Sequence, residues 1–408
     1  MSLRSWTVSK AGNDGHGEGI RDVVSPKSDQ PLSALSFVIA ANGFAEGPAQ
    51  ALRDYLVEKR AGRVITILHP LAPEGGPVHL IDRYEGGVRV SSKRVWLPSK
   101  PPFTYPLDLF VPPWPAAVDV WFGFNPTTCL RGLAAKKVGR AGRVVYWCVD
   151  YVEDRFGKGV LTRAYEWLEG LCCRLADARV ELSSAAAQAR DQRHAGPRLA
   201  PTVVVPMGAW TQRTPKTSAD AWQVRRVVYL GHLVPRQGVG TMIDAIALLN
   251  RRGFRVTADI IGRGPEEAAL RGKVERDGLA EIVRFRGFIE DHRRVEAILA
   301  ECSVGVAPYL TEVASFTQFA DPGKLKAYLG AGLPIVLTRV PPIATELEES
   351  GAAYIVESSA ESVARGIEVV LSSGVDWQRR RDASLTLTQR YDWEVILRDA
   401  LQSLGLDA

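Results

Sequence analysis

The sequence predicts an α/β protein built on two parallel sheets. Three observations predict it. The chain has 408 residues, which suits two domains. Short apolar runs of strand length alternate with amphipathic runs of helix length through both halves. Several of those runs break at a glycine and turn straight into a helix. Val227 to Leu249, VVYLGHLVPRQGVGTMIDAIALL, is the clearest case. Val227 to Leu230 reads as a buried strand that stops at Gly231. A turn carrying Pro235 follows. Gln237-Gly238 opens a helix whose apolar positions Met242, Ile246 and Leu249 recur at helical spacing. Such a turn aims unpaired backbone N–H groups and the positive end of a helix dipole at one spot, which suits a phosphate. Glycines there let a ligand approach the backbone. Arg236 and His232 stand ready to add charge or hydrogen bonds. The alternative is an ordinary strand–turn–helix unit with no ligand.

In the first half, Ser36 to Ala41 and Arg63 to His69 read as strands around a helix from Pro48 to Lys59. Gly43 and Gly47 fall in the loop at the carboxyl end of the first strand, where open α/β sheets bind ligands. A tight turn is their alternative role. Leu80 to Leu97 alternates like a strand pair about Gly86-Gly87. Lys100 to Pro115, rich in proline and aromatics, reads as an ordered loop or broken helix. Val118 to Phe124 and Arg143 to Val149 are two further strands. Asp150 follows the second, with Asp154 and Arg155 close behind. A carboxylate there is placed either to touch substrate or to cap the next helix, Leu161 to Leu175. Arg179 to Leu182 and Thr202 to Val205 close this half. Pro206-Met207-Gly208 reads as a hinge and Trp210 to Trp222 as a linker.

In the second half, Arg255 to Ile261 is a strand ending in Gly262-Arg263-Gly264-Pro265-Glu266. It lacks the third glycine of a dinucleotide fingerprint. Val283 to Phe288 and Val304 to Ala307 are strands, with a helix from Arg293 to Ala300 between them. A long loop, Pro308 to Pro322, is of a length that often carries function. Gly323-Lys324-Leu325 then starts a helix that ends before Gly330, followed by a strand at Pro334 to Thr338. This is a second helix N-terminus able to hold an anion. Lys324 in its first turn opposes the dipole, a conflict that points to function. A surface lysine is the alternative.

Composition bounds the rest. The formal charge is +5. Basic residues cluster at Lys136, Lys137, Arg140 and Arg143, and at Arg379, Arg380 and Arg381. Each cluster is either a solvated face or a contact for an anionic membrane or polyanion. Nucleic acid is not the expected partner, because the clusters lack interleaved aromatics and no nucleic-acid-binding motif is present. No apolar run approaches the ~20 residues of a membrane helix. Residues 1–33 lack the apolar core of a signal peptide and read as a flexible leader. The five cysteines form no CxxC pair. Free thiols in a reducing cytoplasm are expected.

Four motifs in order resemble the family 4 (group 1) glycosyltransferases of the GT-B fold. They are VVYLGHLVPRQGV at 227–239, IIGRGPE at 260–266, VRFRGF at 283–288 and PGKLKAYLGAGLPIVLT at 322–338. VVVPMGAW at 203–210 resembles the hinge of that family, and YDWEVI at 391–396 its terminal crossover helix. The resemblance covers the second half strongly and the first half weakly. It implies two Rossmann-like domains facing across a cleft. The expected division is an acceptor-side domain at 34–206, a donor domain at 207–390, and a segment at 391–408 returning to the first domain.

The resemblance also implies a nucleotide-sugar donor on the second domain and retention of anomeric configuration. In the family an Arg after the strand glycine and a Lys before the helix glycine bind the diphosphate. Here those positions hold His232 and Gln237, and Arg236 stands next to them. The position of the family's ribose-binding Glu holds Ala327. Lys324 matches a branch with a P-x-K-L pattern, where it would contact a phosphate. The expected donor contacts are Gly43, Gly231, His232, Arg236, Gln237, Gly238, Gly262, Arg263, Lys324 and Leu325. The residues expected to carry the chemistry are Asp150, Arg236 and Lys324. No Asp-x-Asp holds a divalent metal, so no metal or other cofactor is expected, and protein cations would stabilise the leaving group. The acceptor is expected to be a glycan, polysaccharide or lipid-linked sugar near Gly43, Asp150 and the proline–aromatic segment. The location implied is cytoplasmic, at the inner face of the membrane. Two rivals remain at this point: a non-catalytic relative that binds nucleotide-sugar, and a GT-B sugar-nucleotide epimerase.

Overall fold

The computed structural model describes residues 30–44, 46–70, 78–96, 116–196, 198–311 and 316–406. Residues 1–29 of the expected leader and the proline–aromatic segment at 100–115 lie outside the described residues, as does part of the 308–322 loop. The first sheet comprises β1 (Ser36–Asn42), β2 (Arg63–His69), β3 (Val78–Glu85), β4 (Val88–Trp96), β5 (Val118–Gly123), β6 (Ala141–Cys148), β7 (Ala178–Glu181) and β8 (Thr202–Val204). Their order is β4-β3-β2-β1-β5-β6-β7-β8. β3 pairs antiparallel with both β2 and β4 at one edge, and the other pairs are parallel. Gly86 and Gly87 both take positive φ in the tight turn between β3 and β4. Among the described residues the helices of this domain are α1 (Pro48–Glu58), α2 (Pro126–Lys137), α3 (Val160–Leu175) and α4 (Ser184–Arg193).

The second sheet is wholly parallel. Its strands are β9 (Arg226–Leu230), β10 (Thr257–Ile261), β11 (Val283–Gly287), β12 (Val304–Ala307), β13 (Ile335–Thr338) and β14 (Ala353–Val356), in the order β11-β10-β9-β12-β13-β14. That is the doubly wound order, which reverses between β9 and β12. The crevice at the carboxyl ends of those two strands is where such sheets hold ligands. The helices are α5 (Val239–Arg251), α6 (Glu267–Arg276), α7 (His292–Ala300), α8 (Gly323–Ala331), α9 (Ala344–Glu349), α10 (Ala360–Leu371), α11 (Gly374–Thr388) and α12 (Trp393–Ser403). The two-sheet α/β organisation expected from the sequence is present. Central strands such as β12 and β13 are buried along their whole length, as parallel strands covered on both faces must be.

The details differ in three places. Pro235–Gln237 forms a single 3-10 turn, and the helix proper starts only at Val239. Gly238 between them is left-handed, so Gln237-Gly238 is the turn before the helix and not its first turn. The end of the expected leader is tied down: Leu32 is buried and its carbonyl accepts the Gly62 amide at 3.0 Å. Apolar periodicity also failed to disclose α2 and α4. α2 packs through Gly132, where a Cβ would meet the Trp121 ring at 2.5 Å, and buries Arg131. α4 buries only Ala186 and Arg190. Inward-facing arginines and small residues leave no apolar stripe to read.

The chain leaves β8 through Met207 and Ala209 and meets its own tail there. Ala209 exchanges backbone hydrogen bonds with Tyr391 and Trp393, at 2.8 and 3.0 Å. Asp392 accepts from the Thr211 amide and caps α12 through Glu394. α12 then packs on α1, and Lys59 pairs with Glu394. Trp393 lies flat enough on the chain that a Cβ at Gly208 would come within 2.7 Å of its indole.

Candidate functional site

Lys324 opens α8 and turns back over the crevice at the ends of β9 and β12. Its Nζ donates to Gln237 Oε1 at 2.6 Å. It lies over the Tyr229 ring at 4.1 Å and the Tyr309 ring at 5.2 Å. Tyr229 belongs to β9 and Tyr309 follows β12, so the reversal of strand order builds this cage. Among the described residues no carboxylate pairs with Lys324. Burial therefore acts unopposed and pushes its ammonium down to about 7. Aromatic faces and one amide carbonyl partly stabilise the charge, and an arriving anion would complete it. Lys326, two residues along the helix, is the contrast. It is fully buried, pairs with Asp321 and lies over the Tyr391 ring at 4.4 Å. Asp321 also accepts from the Met207 amide at 2.7 Å, so this pair holds the hinge.

The glycines around the cage serve the chain itself first. A Cβ at Gly238 would lie 1.8 Å from the Pro308 carbonyl oxygen, and one at Gly262 1.9 Å from that of Gly231. Gly231 leaves room for Lys324, whose Nζ would stand 2.8 Å from an added Cβ. Close backbone approach explains these residues before any ligand is invoked.

The other expected donor contacts scatter. His232 is exposed, and its carbonyl accepts from the Tyr229 hydroxyl at 3.0 Å. Arg236 is half-buried on the 3-10 turn, and desolvation lowers its pKa. Its carbonyl anchors Leu310 at 3.0 Å. Arg263 is exposed and leans toward Gly287 at the end of β11. Leu325 is fully buried, with its amide on the Pro322 carbonyl at 3.1 Å. Gln237 and Lys324 are thus brought into contact, while Arg263 and Leu325 face elsewhere. Sequence reasoning missed Tyr229 and Tyr309. Tyr229 was legible only as an apolar strand residue, and Tyr309 only as part of the long 308–322 loop.

In the first domain the crevice lies between β1 and β5. Asn42 and Asn125 bond side chain to side chain across it. Gly43 takes a φ of 98° and donates its amide to the His69 carbonyl at 2.8 Å, which is the tight-turn role. Asp150 follows β6 and pairs with Arg155. Its carbonyl accepts from Arg190 at 2.6 Å. Arg190 is buried between Glu169 and Glu181, with His194 on the far oxygen of Glu169 at 2.8 Å. Burial opposes the Glu169 charge, but Arg190 and His194 outweigh it and hold its carboxyl below the usual range. The arginine also lies over Tyr151, which stacks edge-on against Phe319 of the second domain at 5.0 Å. Ser183 adds a hydrogen bond to the Phe319 carbonyl. The network thus carries Asp150 and a contact between the domains together.

Neither basic cluster is a continuous patch. Lys136 pairs with Asp177 at 2.5 Å and Arg143 is half-buried, leaving Lys137 and Arg140 exposed. Arg380 and Arg381 bond to the carbonyls of Ala353 and Thr217, at 3.1 and 2.7 Å. Their role there is to fasten α11. The five thiols are free and buried. Among the described residues no helix is long and apolar enough to cross a membrane, and no group of three potential metal ligands gathers.

Residues 224–373 match the family model described as "Glycosyl transferases group 1". A GDP-mannose-dependent alpha-(1-6)-phosphatidylinositol dimannoside mannosyltransferase of Mycobacterium tuberculosis (strain ATCC 25177 / H37Ra) is 25% identical over 179 residues. That match covers 44% of this chain and 43% of the mannosyltransferase, less than half its length. Two solved structures share the fold over nearly the whole chain. Sucrose-phosphate synthase from Thermosynechococcus elongatus superposes with a TM-score of 0.66 at 15% identity, over 90% of this chain and 98% of that one. Anabaena HepE in complex with UDP-glucose gives 0.64 at 17% identity, over 91% and 99%.

Proposed function

We propose that this chain, a GT-B protein of the group 1 glycosyltransferase type by its fold and by the family of its second domain, moves a sugar from a nucleotide-sugar donor to a glycan, polysaccharide or lipid-linked acceptor. One observation carries the reading. Lys324 is a desolvated cation with no counter-ion among the described residues, at the point where the second sheet reverses its strand order. A diphosphate is the anion that suits it. The start of α8 adds backbone N–H groups and a dipole of the right sign. As the sugar leaves, charge grows on the departing phosphate, and a cation fixed in a sheltered site stabilises that charge. Lys324 also supplies what the departures at His232 and Gln237 removed. Its ammonium sits against Gln237, the position where the family carries its lysine.

The reading includes transfer with retention and without a metal ion. It also includes a cytoplasmic location with contact to an anionic membrane surface. The relatives' own names point to two donor bases, GDP for the mannosyltransferase and UDP for HepE. A thermal-shift screen against UDP, GDP and ADP therefore comes first. Turnover of the matching nucleotide-sugars follows. Binding without turnover on any acceptor would identify a non-catalytic relative, and a changed sugar-nucleotide in the absence of acceptor would identify an epimerase.

Two expected outcomes test the site chemistry. Transfer persists undiminished in a strong metal chelator; an activity abolished by chelation and restored by a divalent ion would refute metal independence. The second exchanges the cation between positions. Lys324→Ala weakens nucleotide binding, and Gln237→Lys in the Lys324→Ala background recovers most of the loss. Calorimetric titration of the three proteins decides it, and a double variant no tighter than Lys324→Ala would remove the shared position of the two cations.

A further inference from the structure

We infer that the outward face of α3 is the surface by which this protein lies on an anionic lipid bilayer. The inference deepens the membrane contact in the reading above. It moves that contact from the basic cluster at the end of α2 to a helix that the cluster borders.

Val160, Ala164, Trp167, Leu171 and Leu175 recur at spacings of three and four, so they form one stripe along the helix. A helix in a globular domain normally turns such a stripe inward. Here Val160 is 75% exposed, Trp167 64% and Leu175 57%. Leu161 beside the stripe is 52% exposed. The core is served by another face of α3, through Thr162, Glu169, Gly170, Cys172 and Cys173. The helix therefore has two faces with different tasks, and nothing in the described chain covers the second.

Charge selects the occupant. Arg163 and Arg174 are exposed on α3, and Lys158 just before it. The two acids of the helix are already neutralised: Glu166 pairs with Arg193, and Glu169 is buried against Arg190. At the foot of α3, the Lys136–Asp177 pair brings the end of α2 alongside, where Lys137, Val138 and Arg140 are exposed. Glu153 and Asp154, in the loop before Lys158, are the exposed acids near this face. Apolar side chains with a tryptophan, rimmed by cations, match the face of a helix lying in the plane of a bilayer. A second copy of the chain would set the same cations against each other across a two-fold axis. The orientation suits an acceptor held at the membrane. Val160 and Leu161 stand at the end of α3 nearest Asp150 and the cleft, and Leu175 at the far end.

Flotation of the full chain with vesicles of equal phosphatidylcholine and phosphatidylglycerol tests this without using donor or turnover. Its failure would remove the membrane contact from that reading and leave the sugar transfer untouched, and failure of the transfer reading would leave the flotation result untouched. The wild-type protein is expected to float at low salt and to dissociate at about 1 M salt, where the Debye length falls to about 3 Å. Arg163→Glu is expected to lower the partition by at least about fivefold, since one surface cation contributes about that factor. Leu161→Asp with Leu175→Asp abolishes it, while thermal melting stays unchanged because both positions are exposed. Brominated lipid quenches part of the wild-type tryptophan fluorescence, and that part disappears in Trp167→Phe. Equal flotation of wild type and variants, or binding as strong to purely zwitterionic vesicles, would overturn the proposal. So would a wild-type dimer in sedimentation that Trp167→Glu disperses while no flotation occurs.

Discussion

Replacing Lys324 by alanine is expected to lower kcat/KM by roughly ten- to a hundredfold, the equivalent of about 1.5–3 kcal/mol for one charge-assisted contact in a sheltered site. The fall should appear in kcat as well as in donor affinity if the contact tightens as the leaving group gains charge. Protonation gives a sharper signature. The free ammonium is pushed down to about 7 by burial, and among the described residues no acid opposes that shift. A bound diphosphate raises it again, so the complex holds a proton that the free site has lost. Donor affinity is therefore full below pH 7 and falls as pH rises above it. Binding at pH 8 takes up close to one proton, and binding at pH 6 takes up almost none. Calorimetry in buffers of different ionisation enthalpy measures that uptake directly. Proton uptake that survives Lys324→Ala would mean that another group titrates, and would remove the lysine from the donor site.

Asp321→Ala is expected to destabilise the protein by about 3–5 kcal/mol, because it leaves Lys326 buried without its counter-ion. Lys326 is wholly buried, and burial already lowers its pKa despite Asp321. The same substitution frees the Met207 amide, which the carboxylate holds at 2.7 Å. The sign of the pH dependence follows from the lysine. In the variant, the folded-state pKa drops further below its unfolded value. The unfolded chain then binds more protons over the interval between the two, so stability rises with pH there. The loss should shrink as the unfolded pKa near about 10.4 is approached. Asp321→Ala with Lys326→Met should be more stable than Asp321→Ala alone, since it removes the orphaned charge. Denaturant titrations across pH decide the matter. A loss that is equal at all pH values and unrelieved by the second substitution would make Asp321 a packing residue.

The two predictions concern lysines that are alike in sequence and opposite in use. Both belong to Gly323-Lys324-Leu325-Lys326, and the motif singled out only the first. What separates them is the counter-ion. Asp321 turns toward the hinge and takes Lys326 with it, whereas Lys324 turns over the crevice and finds two rings and an amide. The helix period places the two side chains on different sides, but it says nothing about what waits there.

The sequence by itself determined the class of the fold and most of its parts. Continuous apolar runs such as Val304 to Ala307 are long enough for a strand and too short for a helix. At the turns that follow, a Cβ added to Gly238 or Gly262 would lie under 2 Å from a backbone carbonyl oxygen, so the glycine spacing reported those turns faithfully. The strand–helix alternation then specified two parallel sheets, and the unfavourable lysine at the start of α8 pointed to the candidate site. Only the tertiary structure decided the rest. α2 and α4 turn arginines inward, and Arg190 is tolerable there only because Glu169 and Glu181 arrive from another helix and another strand. The cage of Lys324 needs Tyr229 and Tyr309, which are far apart along the chain and meet because β12 pairs with β9. Local patterns record which surface each segment must bury. Which charges and rings share a crevice depends on strand order, and strand order is set by the packing of the whole sheet.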